Sequence, residues 1–153
     1  MQTEASRRSA RSRRQSADTE RERDVADGVE VLDASAILAL LLGEPGADDV
    51  AHSVARGAAV STVNLSECAE VLARNKLTPE PIMARFCEQV VVKPFTYDDA
   101  LAAAALSPPT RPRGLSLGDR ACLALAQRLD ATALTADGQW SRLEIGVSIR
   151  LVR

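Results

Sequence analysis

Four acidic residues stand where the chain leaves a strand or enters a helix: Asp33 in "VLDAS", Glu67 in "NLSE", Asp119 in "LSLGDR" and Asp137 in "LTADGQW". Carboxylates brought together repel one another. Such a set is tolerated when it holds a hard divalent cation, Mg²⁺ or Mn²⁺, which prefers oxygen ligands. Two such ions about 3.5–4 Å apart activate water and stabilise the leaving oxygen of a phosphate. Other chemistries lack their residues. His52 is the only histidine and sits in a polar stretch. No Cys–His or Ser–His–Asp set can be assembled, and no Gly-rich phosphate loop is present.

Each acid also has a plainer reading. Acids at a helix N-terminus gain about 0.3–1 kcal/mol from the helix dipole. Asp98 and Asp99, which follow Thr96, are read as first-turn acids of that kind. Asp33 is a candidate cap for "ASAILAL", and Asp137 a candidate turn residue. The four become a set only if the fold brings them together.

The elements that must do so alternate between strand and helix. "VEVLD" (29–33), "AAVST" (58–62), "VVVKPF" (90–95), "TALTA" (132–136) and "VSIRLV" (147–152) read as strands. Helices are expected from "ASAILALLLG", "ADDVAHSVARG", "NLSECAEVLARN", "TPEPIMARFCEQ", "TYDDALAAAALS" and "LGDRACLALAQRLDA". "PPTRPRG" (108–114) is expected to be an irregular loop, and "GQWSRL" a short helical turn. This order predicts an α/β domain with a mainly parallel sheet of four to five strands, helices on both faces, over residues 29–153. Residues 1–28, basic and then acidic without apolar periodicity, are read as a disordered or loosely helical tail.

Ligands of such a sheet bind beyond the carboxyl ends of its strands. Asp33 and Asp137 follow strands, Glu67 opens a helix after a strand, and Asp119 opens a helix that must start at the same edge to feed the next parallel strand. Topology alone directs all four to one edge.

Composition narrows the partners. At 46% hydrophobic, 153 residues supply a core. No run of about 18 apolar residues marks a membrane span, and Cys68, Cys87 and Cys122 lack metal-ligand spacing, which suits small core residues in a reducing cytoplasm. The formal charge of −2 is not the footprint of a strongly basic nucleic-acid binder, and four aromatic residues leave little for base stacking.

"VLDASAILALL", "STVNLSECAEVL", "GLSLGDRACLALA" and "LTADGQW" together resemble, in order and approximate spacing, the four acidic blocks of the PIN-domain family, specifically VapC-type toxin ribonucleases. The resemblance covers about residues 29–153. It implies a three-layer α/β/α fold and Mg²⁺-dependent hydrolysis of RNA phosphodiester bonds (Mn²⁺ as an alternative ion), giving a 5′-phosphate and a 3′-hydroxyl. Asp33, Glu67, Asp119 and Asp137 would be the catalytic, metal-binding set, with Ser35 and Thr135 as supporting hydroxyls. It further implies a cognate antitoxin protein, whose apolar helix would fit a groove formed by "ILALLLGEPG" and "EVLARNKL", and a homodimer.

Arg111 and Arg113, in the loop before "LSLGDR", are candidates for phosphate contact. Arg120 is a weaker one, read first as a surface ion pair. Two rivals remain at this level: a PIN scaffold that binds a partner without catalysis, and a receiver-like signalling domain, suggested by Lys93 in "VKPF". The second lacks the acidic pair after its first strand.

Overall fold

The computed structural model describes residues 28–153. The expectation for residues 1–28 therefore lies outside the described residues, apart from Gly28. Five short strands form one parallel sheet in the order β3-β2-β1-β4-β5: β1 (Glu30–Leu32), β2 (Ala59–Ser61), β3 (Val91–Lys93), β4 (Thr132–Thr135) and β5 (Ile149–Leu151). The chain builds outward from β1 to β3, then returns to the other side of β1 to place β4. The sheet order thus switches beside β1, the position at which open parallel sheets leave a crevice.

Alternate residues of the central strands face opposite layers. Val31, Ala59 and Ala133 pack on one side, while Leu32, Val60 and Leu134 pack on the other. Burial on both faces explains why these strands read as apolar runs rather than as alternating patterns. Helices α1 (Ala34–Leu42), α2 (Ala47–Ala55), α3 (Thr62–Arg74) and α4 (Pro79–Cys87) contribute to the second core. The first core is closed by α5 (Tyr97–Ala105), α7 (Leu117–Leu129) and Trp140. Three layers result, as expected.

The stretch "PPTRPRG" is not irregular. Ser107–Thr110 forms a one-turn helix, α6, and Arg111–Arg113 a 3-10 turn that ends at Gly114. Prolines in a first helical turn forfeit no hydrogen bond, because those N–H groups have no partner there. Thr110 Oγ1, buried, donates to the Leu106 carbonyl at 2.6 Å and fastens the turn. Helix α3 begins at Thr62 rather than Asn64, because Ser61 takes the cap position and accepts from Val63 N.

Glu30 was not singled out by the sequence. Its buried carboxylate receives Arg150 Nε at 2.7 Å and Nη2 at 2.9 Å, and Arg56 Nη2 at 3.1 Å. Burial pushes Glu30 up, but the Arg150 bonds and the charges of Arg150 and Arg56 outweigh it, and the carboxyl ends below its ordinary value. The cluster ties β1 to β5 and to the end of α2. Cys68 and Cys122 are buried and Cys87 is half-buried, all free, and burial pushes the Cys68 thiol up to about 12, as suits core residues. His52 is exposed.

Candidate active site

Asp33 follows β1 and occupies the cap position of α1, yet its side chain makes no capping bond. Oδ2 instead accepts from Ser35 Oγ at 2.7 Å and from Thr135 Oγ1 at 2.9 Å. With both hydroxyl protons spent on that oxygen, Ser35 Oγ accepts from Ala136 N and Thr135 Oγ1 from Asp137 N, each at 3.0 Å. The two hydroxyls therefore bind the carboxyl ends of β1 and β4 into one unit. Oδ1 of Asp33 is buried and has no hydrogen-bond partner among the described residues. Burial, followed by the charge of Asp119, pushes this carboxyl up to about 6.

Glu67 lies in the second turn of α3, half-buried. Asn64, one turn earlier and fully buried, donates from Nδ2 to Glu67 Oε2 at 3.1 Å and to the Gly118 carbonyl at 3.0 Å. Burial raises the Glu67 carboxyl, against the Asn64 bond, and the charges of Asp119 and Glu70 raise it further.

Asp119 is the third residue of α7. It forms a reciprocal cap with Ser116, its Oδ2 accepting from Ser116 N at 2.8 Å while its own N–H donates to Ser116 Oγ at 3.2 Å. Burial raises its carboxyl; the Ser116 bonds oppose this, Asp137's charge adds to it, and Arg120's charge opposes it. Asp119 thus stands in the electrostatic field of all three other acids. Asp137 follows β4, half-buried, and caps the turn Gly138–Trp140 through Gln139 N at 2.9 Å. The cap and the cluster are one and the same placement for Asp119 and Asp137.

The first-turn acids Asp98 and Asp99 belong elsewhere. Asp99 closes the cap of α5 with Thr96 and, buried, pairs with Arg128 Nε at 3.0 Å, whereas Asp98 is exposed. Among the described residues, Arg120 does not make the surface ion pair first read for it. Its Nη1 donates to the Ala103 carbonyl at 2.9 Å, because α7 packs directly on α5. Arg111 is exposed and Arg113 half-buried, on the turn that leads into α7. One largely apolar groove has α1 and α4 as walls, with Leu40, Leu41, Pro81, Ile82 and Phe86, and about 420 Å³ of space.

A divalent cation fits the donor chemistry. The donors are oxygen only, and Asp33 Oδ1 is buried without a hydrogen-bond partner among the described residues. No three His, Cys, Asp or Glu side chains close into a cage among the described residues. Asn64 and Gly118 were missed by sequence reasoning, since nothing local distinguishes a buried asparagine or a helical glycine at these positions.

The family model of the PIN domain matches residues 31–146. The chain belongs to the PIN-domain family. The match spans all four acids. No curated protein matches the chain significantly in sequence. Among solved structures, this PIN domain is similar to a chain of DNA-bound VapBC from Salmonella typhimurium, with TM-score 0.64 and 16% identity over 82% of this chain and 99% of that one. It is also similar to a chain of a toxin-antitoxin complex from Klebsiella pneumoniae, with TM-score 0.63 and 18% identity over 81% and 98%. A third is the sarcin-ricin loop cleaving toxin VapC20 of Mycobacterium tuberculosis, with TM-score 0.59 and 20% identity over 73% and 92%. At such identities the likeness is one of fold. Among the described residues, no helix is long and apolar enough to cross a membrane.

Proposed function

We propose that this PIN domain is the toxin of a toxin–antitoxin pair and acts as a Mg²⁺-dependent endoribonuclease, with Mn²⁺ as an alternative ion. The observation that carries the reading is the placement of Asp119 within the field of Asp33, Glu67 and Asp137, beside a buried and unpartnered Asp33 Oδ1. Among the described residues only the charge of Arg120 offsets any of the cluster, and only in part, since the Asp119 carboxyl stays raised; such a cluster is costly without a ligand. Its natural ligand is a cation, and its natural substrate an anion recruited by that cation. The fold shared with VapBC and VapC20 supports the choice of RNA and of an antitoxin partner.

In this reading Asp33, Glu67, Asp119 and Asp137 bind the ion directly or through water. Ser35 and Thr135 hold the Asp33 carboxylate so that Oδ1 is the oxygen offered. When bound, the ion supplies the Lewis acidity that activates water and offsets charge on the phosphate. Arg111 and Arg113 contact backbone phosphates at the mouth of the site. The working form is a homodimer, and the antitoxin encoded beside it neutralises it.

Incubation of the purified chain with RNA in Mg²⁺ and in EDTA tests the activity. Cleavage in Mg²⁺ alone, leaving 5′-phosphate ends that can be ligated and sequenced, is the expected result. Soluble, intact protein that leaves RNA whole in both Mg²⁺ and Mn²⁺ would overturn the ribonuclease reading. Growth unaffected by expression without the adjacent gene would overturn the toxin reading.

A further inference from the structure

We propose that Gly118 and Asn64 form a seat that positions the Glu67 carboxylate, and that position 118 is glycine because the carboxylate occupies the volume of the missing side chain. The inference rests on the reading of the four acids as an ion-binding set, and concerns what holds one of them in place.

Six of the eight glycines have a positive φ, which accounts for them through the backbone. Gly118 is different. It is the second residue of α7, in helical conformation, where alanine is intrinsically favoured. The backbone gives no reason for glycine. A methyl group built on its Cα would overlap Glu67 Cδ, Oε1 and Oε2, the three nearest atoms. The carboxylate of α3 therefore lies directly on the first turn of α7.

Asn64 completes the seat. Its Nδ2 reaches both Glu67 Oε2 and the carbonyl of Gly118. Both partners are acceptors, which fixes the orientation of the amide. Since Asn64 is fully buried, its rotamer is locked by packing. One group thus references the acid to the backbone on which it rests, one residue before Asp119. The spacing between Glu67 and Asp119 is set by this contact between α3 and α7. Asn64 and Gly118 are positioning residues: neither is assigned a contact with ion or RNA.

The atoms that a methyl at 118 would displace are the far end of a flexible side chain. Gly118→Ala is therefore expected to leave the fold intact and move only the carboxylate. Urea denaturation of the full chain in EDTA should give a midpoint equal to or above wild type. Mn²⁺ affinity by calorimetry should fall at least tenfold. Adding Glu67→Asp to Gly118→Ala, which withdraws the acid by one methylene, should recover part of that loss. Independently of any ion, the Asn64 side-chain amide resonances should shift on Gly118→Ala, as they should on Glu67→Gln. Unchanged amide resonances, wild-type Mn²⁺ affinity in Gly118→Ala, or loss of folding in that variant would each overturn the seat. Absence of Mn²⁺ binding by the wild type would overturn the ion-site reading instead, while the amide resonances still decide whether the seat exists.

Discussion

Thr135 Oγ1 donates to Asp33 Oδ2 at 2.9 Å, across 102 positions of sequence. Its oxygen in turn accepts from Asp137 N, so one hydroxyl connects two of the four acids. Thr135→Val keeps the shape and removes both bonds. It should cost about 1.5–3 kcal/mol, the usual value for a bond to a charged group, and lower RNA cleavage per folded molecule. Thr135→Ser should restore most of both. Chemical denaturation and a cleavage assay on the three proteins check this.

Asp119→Asn retains an oxygen for Ser116 N, so the cap of α7 survives while a charge leaves the cluster. The metal-free protein should stay folded and gain up to about 1 kcal/mol, as sites often trade stability for activity. Mg²⁺-dependent cleavage should fall at least about a hundredfold, since ion-site charge stabilisation contributes several kcal/mol. Added Mg²⁺ should raise the Tm of wild type more than that of the variant, because ligand stabilisation follows affinity for the native state. The exposed Asp98 serves as control: Asp98→Asn should leave cleavage nearly unchanged.

The raised carboxyl of Asp33 gives the metal-free protein a pH dependence of definite sign. Its folded value is about 6 against an ordinary value of 3.8. Between these the folded state holds a proton that the unfolded chain has released, so stability falls as pH rises from about 4 to 6 and levels off above. The loss should be on the order of 3 kcal/mol, at about 1.4 kcal/mol per pH unit. Asp33→Asn should reduce that slope to the part left by the raised Glu67 and Asp119 carboxyls. Urea midpoints in EDTA across the window measure it for both proteins.

Glu30 acts in the opposite sense and in a different window. Its folded value is depressed below the ordinary 4.5, so its contribution is present above 4.5 and disappears as pH falls through the folded value. Glu30→Gln, which leaves Arg150 and Arg56 without their carboxylate, should destabilise by about 1–3 kcal/mol. Cleavage per folded molecule should be unaffected, because Glu30 belongs to the tie between β1 and β5 and not to the acid cluster. A matched melt and cleavage assay separates the two effects.

The sequence by itself determined the layered fold and the edge at which Asp33, Glu67, Asp119 and Asp137 meet. Strand ends and helix starts are local signals, and a parallel sheet converts their order into a place. It also assigned two nearly identical helix starts differently, reading Asp98 and Asp99 as first-turn acids and Asp119 as one of the set, without a physical reason in the local residues. "TYDD" and "SLGD" both put an acid three residues after a hydroxyl cap, and both form the same reciprocal cap. Tertiary contact supplies that reason. Asp99 meets Arg128 and is neutralised within the fold, while Asp119 lies in the field of three more acids, the arrangement on which the proposed ion site rests. The same reason hid Asn64 and Gly118. Their roles exist only where α3 touches α7, and the identity of each residue depends on a neighbour about fifty positions away.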